Sequence, residues 1–353
     1  MNTFLRRPFR PLLLALAVTC ALAACEREAP PPTAVAPPPP PEPVEPSHDI
    51  KPATGAVEAS PETIEAAQQQ LADAAKSARE QWRGKTFEEF EASVFKEPGE
   101  HGKYIVSGDV AIADRKQLQE FFERLQGEDD ETAHGKLTVA ALAAATTATG
   151  GVDIWTSQRR KQLRYCVSDA FAARKPAVLA DMQAAAQAWE EAADVDFIHV
   201  AAQDASCTAG NPDVLFDVRP VDVDGQYLAR AFFPSDGRTD RNVLVDNSAF
   251  ELDPTDTLSL AGILRHELGH ALGLRHEHTR PEAGTCFEDN DFRPITVYDA
   301  FSVMHYPQCD GLGDWKLQLT EKDGLGAACL YGTPGAGRIP ASCTRENERR
   351  QAP

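Results

Sequence analysis

Hydrophobic and polar positions in the first 150 residues predict two helices and an interrupted strand. Residues 60–83 begin with Ser-Pro, are rich in Ala, Gln and Glu, and are typical of a helix, as are residues 116–125. Residues 104–112 have the composition of a strand that Gly108-Asp109 interrupts. A polar and then Ala/Thr-rich segment ends at Gly150-Gly151, where we place a domain boundary.

From Val152 onward the pattern alternates between helices and strands. Residues 176–193 carry apolar side chains at helical spacing, and a second helix is predicted over about residues 257–272. Three short strand-like runs lie between these helices, at residues 197–200, 214–218 and 242–245. Because the chain beyond the second helix is loop-rich, the pattern predicts an α+β fold with a loop-dominated C-terminal part.

The N-terminal composition predicts export. Three arginines precede an apolar run over residues 11–24 that is too short for a transmembrane helix and is typical of a signal peptide. It ends in Leu-Ala-Ala-Cys, which resembles the bacterial lipobox and implies that residues 1–24 are removed and Cys25 is lipidated. An ordinary secretory signal is the alternative. Residues 25–59 then form a tether, with ten prolines in the eighteen positions 29–46, that holds the protein away from a bacterial, preferably outer, membrane.

Charge and cysteine content narrow the classes of partner. With 35 Lys+Arg against 54 Asp+Glu, the net charge is −19, which argues against nucleic acid as a partner. No segment after Cys25 approaches the about 20 apolar residues that span a bilayer, so we expect membrane contact through the lipid only. Six cysteines remain once the signal peptide is removed and Cys25 is lipidated, and an even number in an exported chain predicts three disulfides. Of the possible pairings we expect the neighbouring ones, Cys166–Cys207, Cys286–Cys309 and Cys329–Cys343.

Residues 266–276, His-Glu-Leu-Gly-His-Ala-Leu-Gly-Leu-Arg-His, carry the main candidate chemistry. His266 and His270 are four apart on one helix, so both imidazoles can bind one metal ion. Gly273 can take a positive φ that returns His276 as a third ligand, and Glu267 can reach a water on the metal. Three His ligands leave one position open, which is typical of catalytic zinc. Surface or core histidines and a structural zinc are the alternatives, but a structural zinc leaves Glu267 unexplained.

This segment resembles the signature of the metzincin zinc peptidases. Residues 302–306 look like their Met-turn, with Met304 below the metal, and are closest to the astacin form. Residues 228–234 look more like the matrixin edge strand, so the exact metzincin family stays open. The resemblance covers roughly residues 152–332 and implies a catalytic domain over 152–335, with a small twisted mixed sheet and two long helices, before a tail at 336–353. Only 27 residues separate His276 from Met304, which is short for an astacin and predicts a reduced substrate loop.

The resemblance also implies roles for individual residues. Glu267 is expected to be the general base, and Tyr306 either a fifth ligand that later donates to the oxyanion or simply a packed aromatic. Substrate is expected to bind extended along an edge strand. The edge-strand residues are Ala229, Arg230, Ala231 and Phe232. Glu277 is interpreted either as the acceptor of a mature N-terminus, as in astacins, or as a solvated charge after the helix.

Residues 60–151 are predicted to be a pro-region or accessory domain. Residues 104–109 resemble the Gly-Asp segment of astacin propeptides and of bacterial dual-action HEIGH peptidases. The resemblance implies that Asp109 ligates zinc in a latent form, and an ordinary turn Asp is the alternative.

The leading functional prediction is a lipid-anchored zinc endopeptidase that hydrolyses proteins in the cell envelope or outside the cell. The alternatives are a zinc hydrolase of peptidoglycan peptides and a non-catalytic peptide-binding lipoprotein. The complete set of three histidines and Glu267 favours an enzyme, and the edge-strand resemblance favours protein substrates.

Overall fold

The computed structural model describes most of the chain from residue 82 to residue 343. The described residues are 82–99, 102–126, 142–147, 150–251, 258–283, 286, 288, 292–309 and 315–343. The predicted signal peptide, Cys25, the Pro-rich tether and nearly all of the predicted helix 60–83 lie outside them. Among the described residues, no helix has the length and apolar character needed to cross a membrane.

Residues 82–126 fold around their own aromatic core, and we call them the N-terminal module. Its elements are α1 (Phe87–Ser93), β1 (Phe95–Lys96), β2 (Tyr104–Val106), β3 (Val110–Ile112) and α2 (Arg115–Gln126). The strands form an antiparallel sheet in the order β1-β2-β3, and Phe90 of α1 packs between Phe121 and Phe122 of α2. The structure therefore confirms the predicted helix 116–125 and the strand interrupted at Gly108-Asp109.

The main module (residues 142–343) is built on a five-stranded mixed sheet. Its strands are β5 (Leu163–Val167), β6 (Phe197–His199), β7 (Phe216–Val221), β8 (Ala229–Arg230) and β9 (Asn242–Asp246). They lie in the order β6-β5-β7-β9-β8, all parallel except β8, which is antiparallel to β9 and forms one edge. This sheet confirms the predicted mixed architecture. Strand β5 was not predicted, because exposed Arg164 interrupts its short apolar run.

Two long helices pack together beneath this sheet, as predicted. They are α3 (Lys175–Ala192) and α4 (Leu260–Ala271). Trp189 of α3 is fully buried and its indole N–H donates to the carbonyl oxygen of Arg265 at 2.9 Å, which fixes the two helices against each other. Helix α4 begins where the Ser259 hydroxyl accepts from the Gly262 N–H, so its N-terminus is capped.

The C-terminal part is loop-rich and contains β10 (Phe292–Pro294) and α5 (Glu321–Tyr331), and α5 was not predicted as a helix. The three predicted disulfide pairs are present, each with 5.6 Å between its Cα atoms.

One correction concerns the predicted domain boundary at residue 151. Strand β4 (Ala143–Ala145) pairs antiparallel with β10, and Leu142 is buried in the core of the main module. The Arg275 N–H donates to the Ala143 carbonyl at 2.7 Å. The end of the predicted pro-region is therefore part of the main module, because its apolar residues complete that core.

Candidate active site

Helix α4 and the turn that follows it bring three histidines together. His266 and His270 lie one helical turn apart, and the chain leaves the helix at Gly273 with a φ of 87°. A Cβ at Gly273 would lie 2.0 Å from the Asp153 carbonyl oxygen, so only glycine fits there. The turn returns His276, whose Nε2 lies 3.1 Å from that of His266 and 3.2 Å from that of His270.

The far nitrogen of each ring is hydrogen-bonded to an acceptor. Nδ1 of His266 lies 2.7 Å from the Val303 carbonyl oxygen, and Nδ1 of His270 lies 2.8 Å from that of Leu274. Nδ1 of His276 contacts the Glu288 carboxylate. Since these acceptors hold the ring protons at Nδ1, the three Nε2 lone pairs converge on one point. Such a donor set fits a zinc ion.

The protonation of these rings follows from burial and from neighbouring charges. Burial lowers the pKa of His270 to about 3. Burial also disfavours the charged form of His276, but the carboxylates of Asp109 and Glu288 outweigh it and raise that pKa to about 10. A metal ion bound by the three rings would compete with the second proton of His276, because both need the Nε2 lone pair of that ring.

Asp109 of the N-terminal module also reaches this cluster. It follows a turn in which Ser107 and Gly108 have φ values of 52° and 96°. Its carboxylate oxygens lie 3.0 Å from Nε2 of His276, 3.2 Å from that of His266 and 3.8 Å from that of His270. Burial disfavours the charged form of Asp109, but the histidines hold its pKa well below the ordinary range. The carboxylate therefore faces the point at which a metal ion would bind.

Glu267 is the buried carboxylate next to the first histidine. Its Oε2 has no hydrogen-bond partner among the described residues, and it borders a cavity of about 120 Å³. Burial and the negative charge of Asp109 raise the pKa of Glu267 well above its ordinary value. This carboxyl is thus positioned to exchange a proton inside the cavity.

Met304 and Tyr306 lie directly around the histidines. Met304 is fully buried, and its Sδ would be 2.3 Å from a Cβ placed on Gly269. The Tyr306 ring stacks on His266 with 5.4 Å between centroids, and its hydroxyl donates to Asp109 at 2.5 Å. The Tyr306 ring also contacts those of His276 and His278, so Tyr306 packs against the histidines and presents a polar group to the cluster.

Glu277, the residue after the third histidine, is fully buried. Its carboxylate accepts from the backbone N–H groups of Ala143 and Asp299, each at 3.1 Å. Burial raises its pKa to about 8, although Arg280 opposes the shift. The alternative prediction of a solvated charge is therefore wrong, and Glu277 instead faces the first residues of β4.

The predicted edge-strand residues divide into two groups. Ala229 and Arg230 form β8 at the edge of the sheet, whereas Ala231 and Phe232 are buried just beyond it. Ala229 borders the cavity next to Glu267. The Arg230 side chain is instead buried, and its Nε and Nη2 donate to the two carboxylate oxygens of Glu97 at 2.6 and 2.9 Å.

Three residues of this region were not singled out from the sequence. Glu97 binds Arg230, Trp315 borders the cavity, and Glu288 contacts His276. All three are single residues in segments without helical or strand periodicity, so no sequence pattern marks them. For Glu288 the available signal was its position two residues after Cys286.

Comparison with known proteins places the main module in a recognised class. The matrixin family profile matches residues 155–283, which is 129 of the 353 residues. No curated protein matches the chain. Among solved structures it is similar to high choriolytic enzyme 1, a hatching enzyme zinc-protease from Oryzias latipes. That similarity has a TM-score of 0.35 and 17% identity, and it covers 54% of this chain and 99% of the other.

The matrixin match ends beyond His276 and includes the whole histidine motif. The converging histidines and the mixed sheet of the main module agree with this match. These findings support a zinc metalloendopeptidase of the metzincin type with a catalytic zinc ion.

Proposed function

We propose that this protein is a zinc endopeptidase that hydrolyses peptide bonds of proteins in the cell envelope or outside the cell. The observation that carries this proposal is the buried arrangement of three histidines with Glu267 beside a cavity that reaches the edge strand. Zinc hydrolysis of peptidoglycan peptides is the second candidate, because the cavity by itself does not distinguish the two kinds of peptide.

The proposed zinc ligands are Nε2 of His266, His270 and His276. A bound zinc ion supplies Lewis acidity, which polarises the scissile carbonyl and acidifies the attacking water. Glu267 accepts the proton of that water and delivers it to the leaving amine, since its carboxylate is buried beside the first ligand. Met304 supplies the apolar floor beneath the rings.

Tyr306 is proposed to act once Asp109 has left the site. Its hydroxyl now donates to the Asp109 carboxylate, so it is already aimed at a negatively charged oxygen near the histidines. The same hydroxyl can donate to the oxyanion that forms from the scissile carbonyl. An extended substrate would add a strand alongside β8, whose outer side has no partner strand among the described residues.

We further propose that the N-terminal module keeps the enzyme latent. Asp109 lies where a metal ion and substrate would bind, and Gly108 and Asp109 both border the cavity. Ile105 of β2 packs against Val223, Tyr227 and Leu244 of the main module. These contacts support a pro-region that fills the substrate site.

The location of the protein is part of the proposal. The lipobox-like end of the signal and the Pro-rich segment support a lipid anchor at Cys25 and a bacterial, preferably outer, membrane. Labelling with a radioactive fatty acid, compared between the wild type and Cys25→Ala, tests the anchor. Label retained by the variant would contradict it.

The activity is tested with four forms of the chain produced from residue 26: wild type, Asp109→Ala, Glu267→Ala and the double variant. Each is incubated with a mixed peptide library and, separately, with peptidoglycan fragments, and the products are read by mass spectrometry. We expect Asp109→Ala to cleave library peptides faster than the wild type and a chelator to abolish cleavage. Both Glu267→Ala forms should bind zinc without cleaving.

Equal cleavage by Asp109→Ala and the double variant would overturn the assignment of Glu267. Cleavage of peptidoglycan fragments alone would favour the second candidate function. Equal rates for the wild type and Asp109→Ala would contradict latency through Asp109.

A further inference from the structure

The third zinc ligand differs from the other two in the group that holds its outer nitrogen. His266 and His270 face backbone carbonyls, whereas Nδ1 of His276 faces the carboxylate of Glu288. Glu288 is 1% exposed, and its second oxygen accepts from Nη2 of Arg275 at 2.8 Å. A charged acceptor makes a stronger hydrogen bond than a carbonyl, so this contact orients the His276 ring more firmly.

Of the three histidines, His276 is the one whose position is not fixed by a helix. His266 and His270 are fixed by helix α4, but His276 follows the turn at Gly273 and lies outside the helix. Its ring must therefore be held by contacts from elsewhere in the fold. Glu288 supplies one from a segment 12 residues further along the chain.

A disulfide fixes the segment that carries Glu288. Cys286 lies two residues before it and is bonded to Cys309, which ends the short helix Pro307–Cys309. That helix directly follows Tyr306, so the bond ties the Glu288 segment to the same stretch of chain that forms the floor of the site. Glu288 is thus held on one side by Arg275 and on the other by a covalent link.

We propose that Glu288 is a positioning residue for the zinc site, which holds His276 in its ligating orientation and is itself kept in place by the Cys286–Cys309 disulfide. The proposal rests on zinc binding by the three histidines and is independent of the substrate. Carboxylate partners of metal-bound histidines fix the ring and strengthen the donor nitrogen. Loss of the disulfide is therefore expected to weaken zinc binding.

The first experiment measures zinc affinity of the full chain by competition with a chromophoric chelator. Removing such a partner typically costs about 10- to 100-fold in metal affinity, which is the loss expected for Glu288→Ala. Glu288→Gln keeps a neutral acceptor and should fall between Glu288→Ala and the wild type. Glu282→Gln is the matched control, because this carboxylate binds Arg280 and does not contact the histidines. Its affinity should equal that of the wild type.

Cobalt substitution adds a readout that a general loss of stability does not move. The visible absorption of bound Co²⁺ depends on ligand geometry, so its bands should shift in Glu288→Ala and stay unchanged in Glu282→Gln. Affinities of both Glu288 variants within about threefold of the wild type, with unchanged cobalt spectra, would overturn the proposal. If Glu288→Ala does not fold, the affinity and spectrum of Glu288→Gln decide.

The disulfide is tested with the double variant Cys286→Ser/Cys309→Ser. It should lose as much zinc affinity as Glu288→Ala, and combining the two changes should add little, because both act through one contact. The control is Cys329→Ser/Cys343→Ser, which removes the disulfide between α5 and Cys343. An equal loss in that control would contradict the role of the disulfide. These zinc affinities are measured without a peptide substrate. They therefore test the role of Glu288 even if the protein has no peptidase activity, and failure of the proposed function is recognised separately.

Discussion

At the residue scale, the site depends on two glycines of the histidine motif. Gly273 provides the positive φ that turns the chain so that His276 faces the other two histidines. Gly269 leaves room for the side chain of Met304 beneath the helix. A Cβ at Gly269 would lie 2.3 Å from Met304 Sδ and 3.2 Å from the Trp189 ring. The close approach of the Met-turn to α4 therefore requires a residue without a side chain at this position.

We predict that Gly269→Ala destabilises the fold by about 1–3 kcal/mol, as overpacking of a filled core does. Unfolding in urea, followed by circular dichroism, gives the free energy. Met304→Ala should cost less in the Gly269→Ala background than in the wild type, since it removes the clashing sulfur. Gly210→Ala is the control, because Gly210 is exposed and an added methyl would meet no atom within 4 Å, so the free energy should change by less than about 0.5 kcal/mol. Equal effects of the two alanines would refute this packing argument.

Tyr306 gives a second prediction at this scale. The test uses Asp109→Ala, in which Asp109 no longer occupies the site. In this background Tyr306→Phe keeps the ring on His266 but removes the hydroxyl. We expect kcat to fall by about 10²-fold and the zinc affinity to stay unchanged. Steady-state kinetics on a cleaved library peptide measures this. An unchanged kcat would show that Tyr306 is only a packed aromatic.

At the element scale, the N-terminus of α5 holds the Met-turn. Thr320 and Asp323 form a capping box, and Asp323 also accepts from the Ser302 hydroxyl and from the Val303 N–H at 2.8 Å. Asp323 is 1% exposed, and burial raises its pKa to about 6 in spite of these hydrogen bonds. One carboxyl thus connects a helix cap to the turn whose Val303 carbonyl orients His266.

This raised pKa predicts a pH-dependent stability. Because the folded protein binds the Asp323 proton more tightly than the unfolded chain does, the protonated form is favoured by folding, and stability should decrease as pH rises from about 4 to 6. The decrease is at most about 3 kcal/mol. The contribution is full below this window and absent above it. The measurement is denaturant unfolding of the zinc-free protein between about pH 4 and pH 6. Comparing the wild type with Asp323→Asn isolates the contribution of Asp323. Parallel pH profiles would contradict the prediction.

At the scale of the whole molecule, a buried ion pair joins the two modules. Glu97 accepts from Arg230 and from the Tyr227 hydroxyl, the latter at 2.6 Å. Burial disfavours the charged form of Glu97, but Arg230 outweighs it and lowers the pKa. Removing one partner of such a pair leaves an uncompensated buried charge, which typically costs about 3–5 kcal/mol.

We therefore predict that Glu97→Gln loosens the N-terminal module and increases the peptidase activity of the otherwise unchanged chain. Activity on a library peptide over time is the measurement. Glu88→Gln is the control, because the Glu88 side chain is 75% exposed and contacts Arg115 of its own module. A similar rise in both variants, or in neither, would contradict the role of this ion pair.

The sequence by itself predicted the cluster of three histidines with Glu267 beside it, because these residues follow one another at a short, characteristic spacing. The four-residue separation of His266 and His270 places both on one helical face, and the glycine at 273 allows the turn to His276. The two long helices were also predictable, since their apolar periodicity is regular over many residues, and short apolar runs marked three of the five strands of the mixed sheet. The neighbouring disulfide pairs were predicted and are present.

Only the tertiary structure decided what surrounds these residues. It packs β4 with the main module, buries Glu277, and directs Glu97 to Arg230 and Glu288 to His276. Each of these contacts joins residues from different segments of the chain, and single carboxylates in irregular segments have no periodicity to reveal a partner. Burying a charged residue requires a partner that compensates its charge, and only the packing of distant segments supplies that partner.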